Sequence, residues 1–141
     1  MDKIEQIYLD LILEAQYDNY KWQRYGKYQG IEIYYSIEHV KNRINKRYKN
    51  NGSNVFKQLR ICVNAFLKGV LKDKILENRK GDELSFTIHC TLSNIWFSGR
   101  FKRNNNIWRI QISTLLPSKD NNGNNITPKF SANDYRKDVY A

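Results

Sequence analysis

The sequence predicts an α+β domain in which N-terminal helices pack on an antiparallel β-sheet. Three observations predict it. Ile37, Val40, Ile44 and Tyr48 recur at a helical period, and a wider helical stripe runs from Val55 to Leu71. The last third instead alternates with a period of two through Leu84–Leu92 and Ile107–Leu116. Helical signals gathered early and strand signals gathered late mark α+β order rather than repeated strand–helix units.

In chain order, Asp2 to about Gln16 reads as a first helix with the stripe Ile4, Ile7, Tyr8, Leu11, Ile12 and Ala15. From Tyr17 to Tyr28 the rings Tyr17, Tyr20, Trp22, Tyr25 and Tyr28 alternate with Lys21, Arg24 and Lys27. Such interleaving suits base stacking and phosphate neutralisation, and it equally suits rings that fill a small core. Gly26 and Gly30 break the segment before a short β-branched and aromatic strand, Ile31 to Tyr35. Ser36 is placed to cap the helix that follows.

Lys49–Asn54 is a loop, and Ser53 or Asn54 is suited to cap the helix carrying Val55, Phe56, Leu59, Cys62, Val63, Phe66, Leu67, Val70 and Leu71. Ile75 and Leu76 suggest a short strand, and Lys80–Glu83 a turn. Leu84–Leu92 places Phe86, Ile88, Cys90 and Leu92 on one face and Ser85, Thr87, His89 and Thr91 on the other. Ile95–Phe101 is the next strand, with Lys102–Asn106 as a hairpin tip. In Ile107–Leu116, Trp108, Ile110, Ile112 and Thr114 oppose Ile107, Arg109, Gln111 and Ser113, and Pro117 stops the strand. Residues 1–119 form the expected single domain, and residues 120–141, opening on Asp120–Asn125, a flexible C-terminal extension.

A chain of 141 residues fits one domain with a real core. Its net charge of +10 and pI near 9.6 point to an acidic partner, nucleic acid first. No apolar run approaches the ~18 residues a membrane span needs. The start, Met1 to Glu5, lacks the basic and apolar parts of a signal peptide, so a cytoplasmic protein is expected. Cys62 and Cys90 both lie in apolar-patterned segments and read as reduced core thiols.

There is no Gly-rich phosphate loop and no Cys/His metal spacing, and the acidic residues are scattered. No metal and no cofactor is therefore expected. RNA allows metal-free chemistry, because its own 2′-hydroxyl attacks the adjacent phosphate. That reaction needs a base at the 2′-oxygen, a cation at the phosphorane and an acid on the leaving oxygen. His39, Arg43, Lys46 and Arg47 fall at steps of four, seven and eight on one helix face. His39 supplies the proton-transfer group, Arg43 the cation, and Lys46 and Arg47 hold flanking phosphates. The plainer alternative is a solvated basic helix face.

These residues bring a resemblance into view. Tyr35-Ser36-Ile37-Glu38-His39, followed by Arg43 and Arg47, resembles the Tyr-Ser-x-His-x-x-x-Arg-x-x-x-Arg segment of the RegB-type phage endoribonucleases, with one more residue here between serine and histidine. A helix like Val55–Leu71 follows in that family, and Ile95-Trp96-Phe97 and Leu115–Lys119 are similar to its later strands. The likeness spans roughly Ile31 to Lys119 and extends to the RelE-like toxin superfamily. It implies a small RelE-like fold and a metal-independent endoribonuclease that cuts mRNA, leaving 2′,3′-cyclic phosphate ends. It also implies a phage-encoded protein in a bacterial host cytoplasm, acting on mRNA near the ribosome-binding sequence, with the ribosome or a ribosomal protein as a further expected partner. The family's motif histidine carries over to His39.

The family's second histidine, on the next helix, is missing, and Arg60 occupies that region. Arg60 stabilises charge but does not transfer protons. His89, on the polar side of a strand, is the remaining candidate for acid or base, or else a surface histidine among threonines. Arg100, Lys102, Arg103 and Arg109 around the late hairpin form a second candidate RNA contact; positive residues there also guard a sheet edge against pairing. Two other readings stay open: an RNA- or ribosome-binding relative that does not cut, and a basic host-takeover protein that grips an acidic host protein.

Overall fold

The computed structural model describes residues 21–49, 54–128 and 134–141. The expected helix over Asp2–Gln16, Tyr17 and Tyr20, and residues 50–53 of the loop lie outside the described residues. Strands β1 (Trp22–Tyr28) and β2 (Ile31–Ser36) precede helices α1 (Ile37–Arg47) and α2 (Val55–Lys72). Strands β3 (Glu83–Cys90), β4 (Ile95–Asn104), β5 (Ile107–Leu116) and β6 (Tyr135–Val139) follow. Among the described residues the six strands join one sheet in the order β1-β2-β5-β4-β3-β6. The α+β class holds, but the sheet is mixed rather than antiparallel. β2 pairs parallel with β5, and β6 pairs parallel with β3.

The two tightest turns are built on positive φ, which Gly30, Asn105 and Asn106 tolerate and Gln29 adopts against its preference. Gln29 (φ 45°) and Gly30 (φ 88°) close β1 onto β2, and Asn105 (51°) and Asn106 (64°) close β4 onto β5. Asparagine and glycine pay little for that conformation. The expected loop at Lys102–Asn106 therefore shrinks to two residues, and Lys102 and Arg103 become strand residues beside Arg100. The aromatic segment before Gly30 forms strand β1, with its register shifted between Arg24 and Lys27. The expected strand at Ile75–Leu76 is a turn, and β3 ends at Cys90, so Leu92 is exposed at 79% instead of facing the core.

Helix α2 covers one face of the sheet with Leu59, Cys62, Val63, Phe66, Leu67 and Val70, all buried. Phe66 sits at the centre, its ring 5.0 Å from that of Phe86, 5.7 Å from Phe101 and 6.2 Å from Phe97. Toward β1, Phe56 meets Tyr25 and Tyr35 edge-on. Cys62 and Cys90 are buried free thiols, and the neighbouring Cys62 thiol together with burial pushes the Cys90 thiol up. The C-terminal residues depart from the expected extension. Tyr135–Val139 complete the sheet edge beside β3, Val139 enters the core, and Thr91 N–H donates to its carbonyl at 2.9 Å. Their short alternation of Tyr, Lys and Val is weak in isolation but sufficient beside an unpaired strand.

Helix α1 packs against the end of β5, which runs on past its last partner in β2, Tyr35↔Ile112. Arg47 Nη1 donates to the Leu115 carbonyl at 2.6 Å. Tyr48 donates to the Leu116 carbonyl and accepts from the Trp96 N–H at 3.0 Å. Ser36 precedes the helix, as expected, but makes no capping hydrogen bond.

One glycine is required by close approach. A Cβ at Gly99 would collide with the Gln111 carbonyl and meet the Phe86 ring at 3.0 Å. Gly99→Ala is expected to cost about 1–3 kcal/mol in urea unfolding, the range for overpacking a fitted core; an unchanged midpoint contradicts this packing.

Candidate nucleic-acid interface

The sheet face opposite α2 is built in rows, because residues paired across strands project to the same side. The first row reads Lys27, Glu32, Arg109, Lys102 and Glu83 across β1, β2, β5, β4 and β3. The second reads Arg24, Tyr34, Gln111, Arg100 and Ser85. The third holds Thr114, Ser98 and Thr87, and the fourth Leu116, Trp96 and His89. Successive rows lie about 7 Å apart.

A bulge decides the third row. Ser98 pairs with Thr114 and Gly99 with Ile112, so Ser113 is the extra residue in β5. Strict alternation puts Thr114 with Ile110 and Ile112 on the core side. The bulge reverses that parity, sending Leu115 into the core and Thr114 to the opposite face. There His39 Nε2 and the Thr114 hydroxyl share a hydrogen bond of 3.2 Å.

The predicted basic face of α1 is thus mainly its packing face. His39, Arg43 and Arg47 are half-buried and turn toward the protein beside the buried Val40, whereas Glu38, Lys41, Asn42, Asn45 and Lys46 are exposed. Lys46 parts from the other three by the small angular drift of a seven-residue step. Arg47 Nη1 is engaged by a backbone carbonyl and so ties α1 to β5.

The two histidines are on the same side of the sheet and are not brought together. His89 lies two strands from Thr114, about 10 Å sideways and one row further along. Its ring stacks on Trp96 at 4.4 Å, Nε2 shares a 2.8 Å hydrogen bond with Asn94, and Nδ1 is 3.7 Å from Asp138. Arg60 is on the other side altogether, over the Tyr25 ring at 5.6 Å, where Tyr25 packs on Tyr35. Arg103 also belongs to that side: it pairs with Asp82 at 3.0 Å and covers Trp108 at 4.9 Å.

The other late-hairpin cations face the same way as Thr114. Arg100 Nε donates to Gln111 at 3.2 Å, one row from Thr114. Lys102 is 3.8 Å from Glu83. Arg109 Nε donates to Glu32 at 2.7 Å, and Arg24 lies 3.4 Å from the other carboxylate oxygen. Sequence reasoning missed Glu32 and Tyr34; the signal was an acid, alone among apolar neighbours, in a strand that one basic-rich strand joins on each side. Among the described residues no three His, Cys, Asp or Glu side chains converge as a metal site, and no described helix is long and apolar enough to cross a membrane.

The hydrogen bond from Arg109 holds the Glu32 carboxyl below the ordinary glutamate value of 4.5, with the charges of Arg109, Arg24 and Lys27 in support and burial opposing. A carboxylate whose folded value lies below its unfolded one contributes stability above pH 4.5 that is lost as pH falls through the folded value. Thermal melts between about pH 5 and pH 3 are expected to fall more steeply for the parent than for Glu32→Gln; parallel curves would show that the ion pair contributes nothing.

Comparison of the chain with protein-family models, with curated proteins and with solved structures finds no match.

Proposed function

We propose that this protein is a RelE-like, metal-independent endoribonuclease that binds mRNA on the cation-lined sheet face and cuts it beside His39. One observation carries the reading: the His39–Thr114 hydrogen bond holds an imidazole at the rim of that face, one row from Arg100. Supporting it, the His39 helix is followed by α2, Ile95-Trp96-Phe97 falls in β4, and Leu115-Leu116 closes β5, the order that the RegB likeness implies.

The chemistry is internal transesterification. The RNA 2′-oxygen loses its proton and bonds to phosphorus while the P–O5′ bond breaks and O5′ takes a proton. The products are a 2′,3′-cyclic phosphate and a free 5′-hydroxyl. His39 serves one of the two proton transfers, and Arg100 and Arg43 offset the charge of the phosphorane.

Purified protein incubated with total mRNA in EDTA is expected to yield fragments with cyclic phosphate ends. His39→Ala lowers that cleavage by about 100-fold or more while costing the fold about 1 kcal/mol, the worth of one hydrogen bond. His89→Ala keeps most of the activity, because Trp96 stands between it and the site. No cleavage by the parent rules out the enzyme.

A second reading, RNA binding without cutting, is favoured by the separation of the two histidines. Under it His39→Ala leaves affinity unchanged, and log affinity falls linearly with log salt. The two readings separate on one preparation: here the parent binds RNA by fluorescence anisotropy and leaves it whole in the cleavage assay.

A further inference from the structure

The first row of the outer face contains an arrangement that the cleavage chemistry does not use. Glu32 is nearly buried, at 8%, and receives Arg109 Nε on one oxygen and faces Arg24 Nη1 from the other. Bonding through Nε leaves the far end of the Arg109 guanidinium pointing away from the carboxylate. Nη1 and Nη2 of Arg109 make no hydrogen bond to any described residue, and its side chain is 39% exposed. The guanidinium also lies over the Tyr34 ring, 5.5 Å from its centre.

Its neighbours add charge instead of cancelling it. Lys102 is directly opposite Arg109 in the β4–β5 pairing, and Lys27 is opposite Glu32 in the β1–β2 pairing. Like charges set opposite each other in a sheet repel. Across β1, β2, β5, β4 and β3, the four cations Arg24, Lys27, Arg109 and Lys102 stand with two carboxylates, Glu32 and the Glu83 that lies 3.8 Å from Lys102, which leaves an excess of positive charge that a bound anion would relieve. A planar fork with two parallel N–H donors matches two oxygens of one phosphate.

We propose that Arg109, aimed by Glu32 and flanked by Arg24, Lys27 and Lys102, is a phosphodiester-binding fork for single-stranded RNA, with Tyr34 as the platform for an adjoining base. The proposal rests on RNA being the ligand of this face and deepens that reading. The fork lies two rows, roughly 13 Å, from Thr114, so it grips the strand away from the scissile linkage. Glu32 is a positioning residue: it touches Arg109 and not the RNA.

The test uses two probes on the full chain. The first is a fluorescent 2′-O-methyl RNA of about 12 nucleotides, within the span of single-strand sites, which 2′-hydroxyl attack does not cut. Arg109→Lys keeps the charge and removes the fork; it is expected to weaken binding about tenfold with an unchanged salt slope, whereas Arg109→Gln also lowers the slope by about one. Glu32→Gln raises the net charge by one and is nonetheless expected to bind more weakly, which a general charge effect does not produce. Parental affinity in Arg109→Lys, or tighter binding by Glu32→Gln, overturns the fork.

The second probe is pyrophosphate, titrated while the Arg109 Nε–H signal is followed by NMR in the parent and in Glu32→Gln. A saturable shift in the parent, lost or weakened in Glu32→Gln, is expected. If the parent binds no RNA but shows that shift, the RNA reading fails and the anion fork stands. If RNA binds and the Arg109 signal is indifferent to pyrophosphate, the fork fails and the RNA reading stands.

Discussion

The unequal pairing of β5 is the constraint on which the rest of the structure depends. Along one edge β4 accompanies it from Ile107 to Leu116, but along the other β2 stops pairing at Ile112. The remaining edge would leave backbone groups unmatched, a cost of about 1–3 kcal/mol for each one buried. Helix α1 resolves this. Arg47 donates to the Leu115 carbonyl and His39 meets the Thr114 hydroxyl, while Tyr48 ties the ends of β5 and β4 together, donating to the Leu116 carbonyl and accepting from the Trp96 N–H. The turn from strand β2 directly into α1 follows, because the chain must leave the sheet where its partner goes on.

The same contacts explain why α1 has few apolar residues and still docks. Val40 is its one fully buried side chain, and Ile44 packs on the rim of the core. Polar groups on its inner face bond to backbone and hydroxyl acceptors instead of meeting hydrocarbon. Tyr48 illustrates the cost: burial pushes its hydroxyl up to about 12, so it stays protonated and remains a donor to Leu116. His39, held by such a face, takes its direction from the Thr114 hydroxyl.

The two faces of the sheet differ in kind. One is an aromatic core around Phe66 under α2. The other carries ordered rows of cations, hydroxyls and rings, with buried Glu32 as the anchor for two of the arginines. A carboxylate beneath guanidiniums contributes little net stability at a surface. It does fix their direction, and direction is what bidentate recognition requires.

The sequence by itself determined the elements with strong periodicity. Val55–Leu71 and Ile107–Leu116 are found almost to the residue, because burial of one helix stripe or one strand face leaves a repeat of fixed period. It also determined that a histidine and two arginines share a helix face. Tertiary structure decided which way that face points, since helical spacing is identical whether the cations look at water or at a strand. It decided β6 and the parallel pairings, which depend on partners far along the chain, and the side of the sheet on which Thr114 lies. A single unpaired residue, Ser113, inverts the alternation there, and nothing in the run of Ile, Ser, Thr and Leu marks it, because a bulge is set by the fit of two strands and not by either one alone.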